Sequence, residues 1–343
     1  MTKFTAFGLS LSNEDTVDTT LAMVQRADRL GFDEVSLPES RQFRSVFAVA
    51  AAALATTDRV CVRIGVANPV TRHPAVLAME AATLAEIGPR RVRFGIGAAA
   101  WTMRALGYAP EGWRPYTNTT EAVRAVKRLV SGDSLGFAPT TFPAVADTKL
   151  DFVPPQPIPV DLGAVNTRMM EAVGEVADGV QLGALASPGY VKWARERITV
   201  GAARAGRDPN EIVVAANVLT SVGRDRRAAR DAVREVLAYY LYRVEPIMID
   251  AGSNADPQDT AAVQEAVAAG GVEAGAGVVS DHLIDTFAVA GSIDDVVAGL
   301  QPFAEAGLHV PLAWYTFGPD PVWALETLAR EVRPAVVDRS PVE

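Results

Sequence analysis

"VCVRIGVANPVTRHPAVLAMEAATLAEIGPRRVRFGIG", residues 60–97, holds a β-branched run, a stiff polar corner, an Ala-rich helical stretch and a second apolar run. Strand, helix and strand in that order make one βα repeat leading into the next. Working outward, strand-like runs recur at 4–11, 33–38, 158–165, 178–185, 211–223 and 309–317, and each stretch between them carries a helical pattern ending at Gly or a Thr/Asp cluster. The runs are apolar along most of their length, as expected of parallel strands covered on both faces. About eight such strands are the number that closes a TIM barrel, so the expected fold is α/β, a (β/α)₈ barrel with insertions.

Two stretches exceed the plain repeat. Residues 132–157 mix turn residues and prolines with strand-like pieces and read as a hairpin excursion. Residues 226–290 hold a long helical tract and then the Ala/Gly-rich "AVAAGGVEAGAGVV" (266–279), which reads either as a mobile lid or as a poorly ordered surface connection. Neither is flanked by linker-like composition, so residues 1–343 are expected to form a single barrel domain carrying both insertions.

The 343 residues are 49% hydrophobic, ample for a sizeable core, and 41 acidic against 32 basic residues give a net charge of −9. Nucleic acid and anionic membranes are poor partners for such a surface, which leaves a small-molecule substrate. Cys61 is the only cysteine, so no intramolecular disulfide or thiolate metal cluster is expected. The first eighteen residues lack a signal-type apolar region, and no charge-free apolar run suits a membrane span. A cytoplasmic location is the expectation.

Ligands of such barrels sit at the C-terminal ends of the strands. Those ends read "SLSNED", "PESRQFR", "GVANPVTRHP", "GIGAAAW", "LGAVNTR" and "LGALASPG". Here the chain resembles the bacterial luciferase-like superfamily, nearest its F420-dependent methylenetetrahydromethanopterin reductase branch. The likeness is carried by "GVANPVTRHP" and "GIG", with "ADRLGFDEVSLPES" and "GEVADGVQLG" in support; it covers most of residues 4–185 and is weak beyond 226.

That resemblance implies a flavin-like cofactor, F420 with FMN as the alternative, and hydride transfer or flavin-dependent oxidation. It implies a non-prolyl cis peptide within Gly65, Val66, Ala67 and Asn68, bulging toward one face of the ring, with Gly97 and Ala98 at the ring edge and Ser40 beside it. Gly163, Ala164, Val165 and Asn166 then bind a phosphate at the start of the following helix, where backbone N–H groups are unpaired, and Gly183 and Ala184 complete the site. The bland alternative is that Thr167 simply caps that helix. Pro69 and Pro74 hold Asn68 and His73 extended, with a helix starting near Pro74. Arg72 and His73 either bond loop carbonyls or, for His73, take part in catalysis.

The chain also departs from the family. Where many relatives have Asp-His after strand two and an acid after the strand-four G-x-G, it has Glu39-Ser40 and Ala98-Ala99. Glu39 is the remaining catalytic candidate, since a strand-end carboxylate can hold or pass a proton; the other reading pairs it with Arg41 or Arg44. Arg41, Arg44, Arg168 and Lys192 suit the acidic tail of F420, or are ordinary solvated charges. Trp101, Trp113, Tyr116, Tyr239 and Tyr240 wall a substrate pocket or serve the core. The resemblance further implies a homodimer through the Ala-rich helices at 46–55 and 75–87.

Rival readings are weaker. Gly95, Gly97 and Ala100 satisfy G-x-G-x-x-A, but no acid ends the next strand as a dinucleotide site requires. The histidines at 73, 282 and 309 are too scattered for a metallohydrolase, and no G-x-S-x-G occurs. Three functions stay open: an F420-dependent oxidoreductase on a small organic substrate, an FMN-dependent luciferase-like monooxygenase, and a flavin-binding barrel without activity.

Overall fold

The computed structural model describes residues 2–39, 43–108 and 113–338, with only the backbone of Trp101. The strands are β1 (Gly8–Ser10), β2 (Glu34–Leu37), β3 (Cys61–Ala67), β4 (Val92–Gly97), β5 (Val160–Gly163), β6 (Gly179–Leu182), β7 (Val213–Val222), β8 (Ala288–Gly291) and β9 (Val310–Phe317). Their order is β6-β5-β4-β3-β2-β1-β9-β7-β8, and β6 also pairs with β7. Eight strands therefore close into a (β/α)₈ barrel. They are the eight read from sequence. The ninth, β8, comes from the second insertion and pairs parallel with Leu219–Val222 of β7.

Two compact units divide these elements. One spans Leu11–Gln181 and Arg197–Val213; the other includes Leu182–Glu196, β1 and nearly everything from Val214 onward.

In the first unit the strands are not apolar on both faces. Val35, Leu37, Val62, Ile64, Phe94, Ile96, Val160 and Leu162 are 3% exposed or less. The alternate positions hold Glu34, Ser36, Arg63, Asp161 and Gln181, also buried, as a period of two places them on the opposite face. A guanidinium taken from water needs carboxylates around it, and Arg63 has them: Nε donates to Glu34 and Nη1 to Asp161. Burial works against its positive charge, but Glu34 and Asp161 more than restore it. Arg93 grips the same Asp161 at two points, each 2.8 Å long. Ser36 Oγ donates to Gln181 Oε1 at 2.9 Å.

Helix Val46–Ala55 buries Val46, Val49, Ala50, Ala53 and Leu54 in this unit, and helix Pro74–Ile87 buries Leu77, Ala78, Ala81, Ala82, Leu84 and Ala85. The second helix starts as its sequence dictates, with Pro74 in the first turn and His73 Nδ1 accepting from the Ala75 N–H at 3.1 Å. Within 132–157 no strand forms, contrary to the hairpin expectation. Its prolines lack the N–H a ladder needs, and the segment folds back through Leu135 N–H to Thr148 O and Gly136 N–H to Ala146 O, both 2.8 Å.

In the second unit the expected long helical tract is two helices, Arg226–Asp231 and Arg234–Leu241. The Ala/Gly-rich stretch is not a loose connection. It completes helix Pro257–Ala276, kinked at Gly271 (φ 81°), and buries Val263, Val267 and Gly275. A Cβ on Gly275 would lie 3.1 Å from Ala238 Cβ, so the glycine permits close approach to helix Arg234–Leu241.

Candidate active site

Between Ile64 and Ala67 the pairing of β3 with β4 shifts register: Ile64 faces Phe94, but Ala67 faces Ile96. The displaced residues are Gly65 and Val66, and the peptide between them is cis. Val66 turns onto a notch of glycines. A Cβ added to Gly97 would meet Val66 Cγ2 at 2.3 Å, one on Gly95 would meet Cγ1 at 2.9 Å, and one on Gly163 would meet Cγ2 at 3.2 Å. Gly97 and Gly163 are register partners on β4 and β5. Below, a Cβ on Gly65 would strike Gln181 Oε1 at 2.3 Å and Ser36 Oγ at 2.6 Å. Gly65, Val66 and Gly163 are each half-buried amid buried neighbours, so the strand ends meet here as a floor of glycine backbone with Val66 packed into it.

Asn68, 2% exposed, ties this floor to the next loop. Its Nδ2 donates to the Ala98 carbonyl at 2.7 Å, while Oδ1 accepts from the N–H groups of Val70 and Thr71 at 2.7 and 3.0 Å. Its carboxamide is thus committed within the protein, and the Asn68 N–H reaches Glu39 Oε2 at 3.5 Å. Arg72 Nη1 donates to Glu39 Oε1 at 2.5 Å. Sequence reading looked to Arg41 or Arg44 for this partner. Arg44 instead gives Nη1 to the Glu14 carbonyl at 2.6 Å, and Arg41, like Ser40, lies outside the described residues. The same contact corrects the expectation that Arg72 bonds a loop carbonyl. His73 does behave that way, its Nε2 lying 2.7 Å from the Pro143 carbonyl.

The helix after β5, Thr167–Val176, is capped by Asn166, whose side chain accepts from the Met169 N–H at 3.1 Å. Thr167 is not the cap. The N–H groups of Thr167 and Arg168 fall in the first turn, where no helical carbonyl reaches them, and the exposed Arg168 guanidinium stacks 3.8 Å from the Tyr116 ring centre. Ala164 is buried and Val165 half-buried beside them. An anion placed here would meet the two free N–H groups and the positive end of the helix.

The first unit therefore brings Glu39, Asn68 and Ala98 together by hydrogen bonds, and Gly65, Val66, Gly97 and Gly163 by packing; Ala67 is buried opposite Ile96. Gly183, Ala184 and Lys192 belong to the second unit. A Cβ on Gly183 would meet nothing nearer than Met248 Cε at 3.6 Å, so packing does not demand glycine there, and Ala184 packs on an apolar cluster with Leu185, Leu219 and Trp314. Tyr239 and Tyr240 meet edge to face, and Tyr240 meets Trp314 likewise, each pair 4.9 Å apart.

Sequence reasoning missed Ser36, Gln181 and Glu80. Glu80 approaches Arg72 at 3.6 Å from helix Pro74–Ile87. The signal for Ser36 and Gln181 was present: polar residues at inward positions of strands that should otherwise be aliphatic.

The glycine-lined floor, the helix end and the nearby Glu39 carboxylate are compatible with a ring cofactor carrying a phosphate. No group of three or more His, Cys, Asp or Glu residues suited to a metal occurs among the described residues. Comparison with known proteins agrees. Over 328 residues the chain is 29% identical to the 5,10-methylenetetrahydromethanopterin reductase of Methanolobus tindarius, covering 95% of this chain and 99% of the relative. The F420-dependent glucose-6-phosphate dehydrogenase of Beutenbergia cavernae is 28% identical, covering 67% of this chain and 72% of the relative. Among solved structures, the coenzyme F420-dependent tetrahydromethanopterin reductase from Methanopyrus kandleri superposes with a TM-score of 0.87 at 25% identity, covering 97% of this chain and 99% of that one. A model of the luciferase-like monooxygenase family matches residues 1–309, and the chain belongs to that family.

Proposed function

We propose that the protein is an F420-dependent oxidoreductase that moves a hydride between the deazaflavin and a small organic substrate. The observation that carries this reading is the likeness to F420-dependent reductases along nearly the whole chain. The glycine-lined floor is compatible with it. When bound, F420 supplies a two-electron hydride carrier. The protein's own residues do the rest. Gly65, Val66, Ala67 and Asn68 back the ring, Gly97 and Ala98 border its edge, and Gly163 to Asn166, with the first turn of helix Thr167–Val176, receive the phosphate. Glu39 is the group placed to hold or pass a proton, as Ala98 offers no acid.

Two finer points belong to this reading. The protein works in the cytoplasm; no helix among the described residues is long and apolar enough to cross a membrane. It acts as a homodimer, supported by an exposed stripe of Val76, Met79, Thr83 and Ile87 on helix Pro74–Ile87, beside exposed Ala48 and Ala55 on helix Val46–Ala55.

Titration of the purified protein with F420 and, separately, FMN, following cofactor fluorescence, tests the assignment. Binding of F420 with little affinity for FMN is expected. A preference for FMN would move the protein to the monooxygenase side of the family, and binding of neither would overturn the flavin reading. Bound F420 that never turns over would leave a barrel without chemistry.

A further inference from the structure

The last ring strand does not run regularly to its end. Leu219 of β7 faces Trp314 of β9, but Ser221 faces Phe317, so Thr220 alone opposes Tyr315 and Thr316. β9 therefore carries one extra residue, a bulge, and Thr316 Oγ1 donates across it to the Thr220 carbonyl at 3.3 Å. Within the bulge Tyr315 has a φ of 78°, in the left-handed region, and Phe317 a φ of 55°. That backbone suits glycine; a bulky side chain adopts it only where its surroundings impose it.

The bulge decides where the Tyr315 ring goes. Successive side chains of a regular strand point to opposite faces. Here the Tyr315 and Trp314 rings are neighbours instead, 5.3 Å apart and edge to face at 78°. Tyr240, from helix Arg234–Leu241, meets Trp314 at 4.9 Å and Tyr315 at 6.4 Å. Trp314 is buried in the apolar cluster and Tyr240 packs against it, whereas Tyr315 is 52% exposed. A ring held in a disfavoured conformation and left half in water contributes little to folding. Leu185, just beyond β6 and part of the same cluster, is left-handed as well, with a φ of 58°. Strain of this kind collects at ligand sites, and Tyr315 lies two residues from the C-terminal end of a barrel strand, where ligands of this fold bind. Arg243 is engaged with the rings of Tyr239 and Tyr242, at 4.1 and 5.5 Å. Tyr315, Trp314 and Tyr240 present aromatic faces and edges, and the complement of such a surface is a flat, uncharged ring.

We propose that Tyr315 is a specificity-determining residue that stacks on a flat, uncharged ring of the organic substrate. Trp314 and Tyr240 hold its ring from beneath, and the bulge turns it outward. The proposal rests on the oxidoreductase reading only in calling the bound ring a substrate; the preference for a flat ring is a property of this cluster alone.

Ligand-observed NMR on the cofactor-free full chain tests this, with acetophenone and cyclohexyl methyl ketone as probes. They share a carbonyl and a six-membered ring, flat in one and puckered in the other. The wild type should bind acetophenone more tightly by about three- to tenfold, the span that aromatic pairing supplies, although the saturated ketone is the more apolar. Tyr315→Phe should keep that preference and Tyr315→Leu should lose it. Urea unfolding reports whether each variant is folded, and the wild-type comparison is decisive by itself. No preference in the wild type, or no binding of either ketone, overturns the proposal. A preference that survives in Tyr315→Leu places the ring elsewhere and overturns it too. So does loss of self-association in Tyr315→Leu, which would make this face a subunit contact. F420 takes no part in the measurement, so failure of the cofactor reading and failure of the ring site are distinct results.

Discussion

Gly97 is the residue on which the floor of the site depends most directly. A methyl group there would intrude on Val66 Cγ2 at 2.3 Å, and overpacking of this kind costs about 1–3 kcal/mol. Gly97→Ala should lower the urea midpoint accordingly and, on the proposed placement of the ring against Val66, weaken F420 binding at least tenfold because Val66 must shift; unchanged affinity would remove Val66 from the site. Cys61 makes a contrasting prediction. Burial, followed by the Glu34 carboxylate, pushes its thiol up to about 12, and only the thiolate reacts with disulfide reagents. At pH 8 a chromogenic disulfide should label the folded protein far more slowly than the urea-unfolded chain. Equal rates would show the thiol to be open. Single-residue roles were the hardest to read from sequence. Glu39 stood out as the acid after β2, yet its partner was sought at Arg41 and Arg44, close in sequence. Arg72 is brought to it by the bulge and turn between 65 and 71, a three-dimensional detail no local pattern encodes.

Helix Ile293–Glu305 shows how an element's stability becomes pH-dependent. Ser292 and Asp295 form a reciprocal capping box, and the Ser292 hydroxyl, the Ser292 N–H and Arg226 together hold the Asp295 carboxyl down to about 2. A carboxylate with a depressed folded-state pKa stabilises above its unfolded value, near 4, and that contribution is lost as pH falls through the folded one. Asp295→Asn should therefore destabilise at pH 7, by about 0.5–2 kcal/mol as for other capping losses, with the gap to wild type closing between about pH 4 and pH 2. Urea midpoints at pH 7 and pH 2.5 decide it; a gap that persists at the lower pH would refute the charge argument. Elements were the most legible scale. All eight ring strands were identified because β-branched runs alternated with helical stretches of regular length. What escaped was the alternation within them: Arg63 in "VCVRIGVA" looks misplaced until Glu34 and Asp161 are known to flank it. The break at Gly271 escaped for another reason. An Ala/Gly-rich tract reads as flexible, but its small residues allow a close helix contact.

For the whole molecule, the stripe of Val76, Met79, Thr83 and Ile87 beside a face of alanines gives the dimer proposal a definite address. Met79→Glu places a charge on a helix side chain that is 46% exposed in the single chain, so folding should change little, within about 0.5 kcal/mol, while self-association is lost. Sedimentation velocity should show a dimer for the wild type and a monomer for the variant. A wild-type monomer, or a variant dimer, would reject this face. Exposed apolar residues spaced along one helix were visible in sequence only as an Ala-rich run, because burial depends on which helices flank them.

The charged layer formed by Glu34, Arg63, Arg93 and Asp161 also constrains how this sequence can change over time. In an aliphatic layer Val, Ile and Leu exchange one at a time at modest cost. Here replacing the central Arg63 takes the guanidinium away from buried Glu34 and from one side of Asp161, and breaking a buried pair in this way costs about 3–5 kcal/mol, a large fraction of what holds a domain together. Arg63 can therefore drift only together with the carboxylates it pairs, so a descendant with an apolar interior must have changed Arg63, Glu34 and Asp161 nearly at once, and homologues should fall into two discrete classes at these three positions rather than a graded series.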